Sequence, residues 1–188
     1  MLDYNLVRNK EQTINQLVDG LTENDLASET EEMINTVLQM IADCSDEDVV
    51  FEPKDPQADD PFSDNENEVK MPWTLGHVIV HISASCEESA ALAAELAHGV
   101  VYHGRSRSEV PWTSVKTAHQ CRHRMEESRR MCLASLEMWP GEPYLENTYI
   151  PWDGMPPINA IGRYVLGLMH ADNHLEQIKD ILSQAQGV

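Results

Sequence analysis

Three stretches, each more than twenty residues long, carry apolar side chains at helical spacing, and no alternating run between them reads as a strand. The first opens at Thr74, which suits an N-cap after Trp73, and runs to about His98, with Gly99 as its stop. Its stripe is Leu75, Val78, Ile79, Ile82, Leu92 and Leu96. The second begins near Ser114, ends before Pro140 and carries Ala118, Cys121, Met125, Cys132 and Leu136. The third begins near Pro157, a residue suited to a first helical turn, and runs to about Ser183. Long helices with apolar stripes and no sheet to cover them bury those stripes on one another. Two further segments precede them. Asn5 to Val18 reads as a helix broken by Asp19 and Gly20. Ser28 and Glu31 have capping-box spacing ahead of Met33, Ile34, Val37, Leu38 and Ile41. The expectation is an all-α four-helix bundle with an extra N-terminal helix, one domain over residues 1–188 with its core across about 28–185.

Residues 46–70 differ in kind. They hold ten acidic residues, two lysines and three prolines, a composition that favours solvation over regular structure. The segment reads as a long acidic loop, peripheral to any chemistry, and the EF-hand pattern with its glycine is missing from it.

Charge excludes several function classes. With 13 Lys and Arg against 32 Asp and Glu the formal net charge is −19, so no cationic face exists to displace counterions from DNA or to hold an anionic membrane. Arg122, Arg124, Arg129 and Arg130 are the densest cationic group, and Glu126 and Glu127 interrupt them. No apolar run reaches the roughly 20 residues that span a bilayer, and the N-terminus lacks the basic and apolar regions of a signal peptide. The four cysteines, Cys44, Cys86, Cys121 and Cys132, show no CxxC spacing, and reduced thiols in the cytoplasm are the expected state. The partners expected are a small-molecule substrate and a second copy in a homodimer, with no nucleic acid and no membrane.

The chemistry-bearing residues are histidines. Three pairs have i, i+4 spacing: His77/His81, His119/His123 and His170/His174. Two imidazoles so placed stand one above the other and can bite one ion, and a third ligand would leave a coordination position open. Projection at 100° per residue ranks the pairs. His170 and His174 fall with Gln177, Ile178 and Ile181, opposite Asp172, Asn173, Glu176, Lys179 and Asp180, so they face the interior. Gly167, one turn earlier, projects between them and is read as leaving space beside them. His119 and His123 share the polar face with Lys116, Glu126 and Arg130. His81 lies at the margin of its helix's apolar stripe, with His77 a step further round, on the side of Glu88 and Glu95. His81 is therefore the third candidate ligand and His77 the reserve. His98 and His103, at a helix end and in a loop, have no specific role.

The run Trp73-Thr74-Leu75-Gly76-His77-Val78-Ile79-Val80-His81, followed far downstream by His170-x3-His174-x2-Gln177-Ile178, resembles the DinB/YfiT-like metalloenzyme superfamily. The first segment is similar to that family's Trp-Ser/Thr helix start, with the ligand histidine eight residues after the Trp, a register that selects His81. The second is similar to its closing histidine pair. The family's Ala-Asp-Ser after the first ligand is absent, since Ser83-Ala84-Ser85 lacks the acid. The resemblance implies a divalent ion, nickel, zinc, iron or manganese, on His81, His170 and His174, with water completing the shell. It implies either a transferase or isomerase using a low-molecular-weight thiol such as bacillithiol or mycothiol, or a hydrolase using metal-activated water. A metal-binding stress-response protein without catalysis, and a helical interaction module whose histidines only pack, are the readings from other classes.

Overall fold

The computed structural model describes residues 1–60, 65–104 and 110–187. Four helices form the bundle: α3 (Glu23–Met40), α5 (Leu75–Ala97), α6 (Ala118–Glu137) and α7 (Ala160–Asn173). They pack as a closed ring, α5 against α6 and α7, and α3 against the same two. The shorter helices α1 (Asn5–Arg8), α2 (Ile14–Leu17), α4 (Asp46–Val50) and α8 (Leu175–Gln186) decorate it. Among the described residues there is no strand, only an isolated antiparallel bridge between Tyr149 and Ile158. The fold is all-α.

Local chemistry explains where each helix begins. Thr74 accepts a hydrogen bond from the His77 amide and starts α5 at the expected place, and Gly99, at φ +81°, follows its C-terminus. Elsewhere the starts move. A capping box does open α3, but it is Thr22 with Asp25; Ser28 lies within the helix, its hydroxyl on the Asn24 carbonyl. Thr117 with Gln120 opens α6, so Ser114 belongs instead to a 3₁₀ turn, Trp112–Ser114. Asn159 caps α7, two residues beyond Pro157. The expected helix over Asn5 to Val18 is two single turns, because Thr13 and Gln16 form a capping box in its middle and Lys10 takes φ 59°.

The acidic stretch also departs from a plain loop. Ser45 and Asp48 form a capping box, and three acids in its first turn suit the positive end of α4. Beyond it, the Lys54 amide donates to Gln184 Oε1 at 2.8 Å, so this stretch lies against α8.

The core contains Met33, Ile34 and Val37 of α3, Ile79 and Ile82 of α5, Cys121 and Met125 of α6, and Tyr164, Val165 and Leu168 of α7. Thr30 and Tyr164 pair their hydroxyls across it at 2.8 Å. The N-terminal arm docks on α3, where the buried Glu29 accepts from the Leu2 amide and the Tyr4 hydroxyl, each at 2.8 Å. Two glycines permit close approach. A Cβ on Gly167 would sit 2.5 Å from Ser89 Cβ, and one on Gly76 would sit 2.6 Å from the Val115 carbonyl oxygen. Gly167 thus serves the contact of α7 with α5; the space it leaves is taken by Ser85 and Ser89, not by the histidines.

The arginines of α6 are engaged within the fold. Arg124 pairs with the buried Glu87, Arg129 with Glu31 and Glu126, and Arg130 with Glu127, while Arg122 donates to the Ile41 and Ala42 carbonyls. No helix is long and apolar enough to cross a membrane among the described residues.

Candidate metal centre

Two helices bring the three histidines together. His81 lies in the second turn of α5, His170 in the last turn of α7, and His174 at the junction of α7 with α8. One ring nitrogen from each lies within 4.8 Å of the other two. The Nε2 atoms of His81 and His170 face each other at 2.6 Å, and the three ring centroids are 4.8 to 5.1 Å apart. The rings meet at steep interplanar angles of 58° to 74°, so their edges converge. This donor set suits a borderline ion such as zinc, nickel or iron.

His174 sits where the expected continuous helix from Pro157 to Ser183 is broken. Its φ and ψ, −96° and −3°, stay in the right-handed helical region but well off the values of a regular α-helix, and it is at once the C-cap of α7 and the N-cap of α8. Its amide reaches back three residues to the Ala171 carbonyl at 3.0 Å, a tightened last turn. Its Nδ1 lies 2.7 Å from Gln177 Oε1. Taken as a donor to that oxygen, Nδ1 carries the proton and Nε2 keeps its lone pair toward the other two histidines. Burial pushes the His174 pKa below the ordinary imidazole value, against the Gln177 hydrogen bond that raises it, and His81 lowers it further. The neutral ligand form therefore prevails at neutral pH.

The break has a partner from far away in the chain. Arg8 donates through Nε to Asn173 Oδ1 at 2.6 Å and through its terminal nitrogen to Asp172, two of the three residues between His170 and His174. Arg8→Ala removes both contacts and is expected to weaken metal binding by about tenfold, the lower end of what loss of an outer-shell partner costs, because Arg8 acts on the helix junction and not on a ligand ring. Competition with a coloured chelator measures this. Unchanged affinity would show that the junction holds its shape without Arg8.

The remaining histidines separate as their surroundings dictate. His77 does not join the three. Its ring lies between Trp73, at 4.4 Å and 23°, and Trp112, at 4.7 Å and 4°, and it is buried. His119 and His123 are exposed. His98 Nε2 lies 2.7 Å from the Met138 carbonyl oxygen, and His103 pairs with Glu95.

Sequence reasoning missed the walls of the site. Trp73 stacks over His77, tilts against His81 at 4.7 Å and lies nearly parallel to His174 at 5.8 Å, so one indole covers two of the three rings and reaches the reserve histidine as well. A cavity of about 220 Å³ opens beside it, lined by Asp55, Gln57, Asp59, Met71, Trp73, His174 and Gln177. The acidic stretch is thus part of the mouth of the site, not peripheral to it. No local pattern signals this, because the contact joins residues more than one hundred positions apart. The i+3 spacing of Gln177 from His174 is the one second-layer feature visible in the chain itself.

The structure thus contains a three-histidine group able to hold a metal ion. A family model described as the DinB superfamily matches residues 8–178. No curated protein and no solved structure gives a significant match.

Proposed function

Because the chain belongs to the DinB superfamily, we propose that it is a divalent-metal-dependent enzyme, with His81, His170 and His174 as ligands, acting as a low-molecular-weight-thiol-dependent transferase or isomerase. The observation that carries the reading is the convergence of three imidazole nitrogens from two helices beside an open cavity. His81, His170 and His174 would hold the ion as neutral ligands, and a divalent ion so held would keep its full positive charge and supply the stabilisation that lets a small thiol react as its thiolate at neutral pH.

The chain's own residues divide the remaining work. Gln177 fixes the tautomer of His174, and Trp73 shields the imidazoles on one side, which keeps bulk water from that face. The nucleophile comes from outside. All four cysteines are buried. The Cys86 thiol, nearest His81 in sequence, donates to the Gly167 carbonyl at 3.5 Å. Burial raises the thiol pKa of Cys44, pushes that of Cys121 up to about 12, and pushes that of Cys86 well above its usual value. These three remain protonated at neutral pH and are poor nucleophiles. The substrate is a small molecule. The internal pairing of the α6 arginines and the net charge of −19 argue against nucleic acid as the partner.

Adding β-mercaptoethanol to the cobalt-loaded protein is expected to produce a thiolate-to-metal charge-transfer band. The band should persist in Cys86→Ser and be lost in His174→Ala. If no small thiol perturbs the cobalt spectrum, activation of water, and hence hydrolysis, becomes the better reading of the same three ligands.

A further inference from the structure

Four aromatic rings stand nearly parallel in the order Trp112, His77, Trp73 and His174. Their successive interplanar angles are 4°, 23° and 18°, and their successive centroids are 4.7, 4.4 and 5.8 Å apart. The last ring is a candidate ligand. Trp73 also lies against a second one, His81, at 4.7 Å and 56°. Trp73 precedes the cap Thr74 and so stands outside the regular backbone of α5. Its indole is therefore oriented by the rings it touches more than by a helical turn.

The far end of the run is anchored separately. Trp112 opens the 3₁₀ turn, in which the Val115 amide donates to the Trp112 carbonyl at 3.0 Å and the Ser114 amide to the Pro111 carbonyl at 2.9 Å. Gln120 of α6 ties that turn down. Its Nε2 donates to the Ser114 carbonyl at 3.2 Å, and its Oε1 accepts from the Lys116 amide at 2.8 Å. The Val115 carbonyl then lies so close to Gly76 of α5 that an added Cβ would meet it at 2.6 Å. Trp112 is thus held against α5 from α6, a helix that carries none of the three ligand candidates. It also lines a cavity of about 450 Å³, so loss of its indole would extend that space toward the His77 ring.

We propose, on the metal reading given above, that Trp112 is a positioning residue of the metal centre. It backs His77, His77 backs Trp73, and Trp73 fixes the ring orientations of His81 and His174. A ligand ring locked by packing is presented in one geometry, whereas a ring free to turn spends part of its time out of it.

Cobalt binding to the full chain tests this with two readouts: affinity by chelator competition, and the visible d–d bands, which report the geometry of the ligands. Trp112→Ala is expected to weaken binding by about tenfold, the lower end for a supporting residue because two rings separate it from the nearest ligand. The bands should shift or broaden in the loaded protein. Trp112→Leu, which keeps apolar bulk over His77 without a flat face, should do the same and gives the reading if the alanine variant does not fold. Trp112→Phe restores a flat ring and should recover most of the affinity and the wild-type bands. His77→Ala removes the middle ring, so adding Trp112→Ala to it should cost little further affinity. Thr113→Ala, at the exposed neighbouring position, should be silent. Unchanged affinity and bands in both Trp112→Ala and Trp112→Leu would overturn the proposal and leave the ligands as assigned. So would weaker binding with unchanged bands, no recovery in Trp112→Phe, or full additivity with His77→Ala. Wild-type protein that takes up no cobalt would overturn the metal reading, and this proposal with it.

Discussion

His170→Ala is expected to lower metal affinity by about a hundredfold or more, beyond what loss of a supporting outer-shell residue causes. Removing this imidazole leaves His81 and His174 as two ligands on different helices, without the nitrogen that faces His81 at 2.6 Å. His81→Ala and His174→Ala should behave alike. Two controls make the result specific. His77→Phe keeps a flat ring between Trp73 and Trp112 and should retain the metal. His119→Ala with His123→Ala alters only exposed rings and should be silent. Metal content of untagged protein by elemental analysis, with chelator competition for affinity, reads all five variants. Full occupancy in His81→Ala together with loss in His77→Phe would transfer the third ligand to His77.

The second large effect is steric. Gly167→Ala places a methyl group 2.5 Å from Ser89 Cβ and 3.0 Å from the Ser85 carbonyl oxygen, and neither of these is the free end of a flexible side chain. Helices α5 and α7 must separate to admit it, an overpacking cost of about 1–3 kcal/mol. For a chain of this size the melting temperature should fall by roughly 2–12 °C. His81 and His170 ride on those same two helices, so the strain should also appear as weaker metal binding. Gly141→Ala, where an added Cβ meets nothing within 4 Å, is the matched control. A Gly167→Ala protein with unchanged melting temperature and metal affinity would show that the helix contact is softer than its geometry implies.

Both effects depend on contacts that differ in how far the chain announces them. Thr74 as a cap and the stripe from Leu75 to Leu96 are local facts, and α5 forms where they say. The inward face of His170 and His174 is likewise a matter of helical period, and their rings do meet His81. The boundaries were less legible because several polar residues compete for each helix start. Thr22 with Asp25 prevails over Ser28 with Glu31, since the earlier box lets α3 extend to Glu23 and bury Leu26. The third long helix ends its first part at His174 although neither glycine nor proline marks the spot. The break lies where Arg8 holds Asp172 and Asn173, and no window of the sequence contains both partners.

What the sequence by itself determined is the class of fold, the helical faces and the order of the three ligand candidates along the chain. Each of these follows from the repeat of a helix or the chemistry of a few neighbouring residues. Tertiary structure alone decided that His77 stacks between two indoles, that Gly167 serves Ser89 instead of the histidines, and that the acidic stretch forms the mouth of the site. The reason is physical. Apolar periodicity fixes which side of a helix is buried, whereas the depth of contact between two helices, and the loop that lies over their end, depend on shapes contributed by residues distant in sequence.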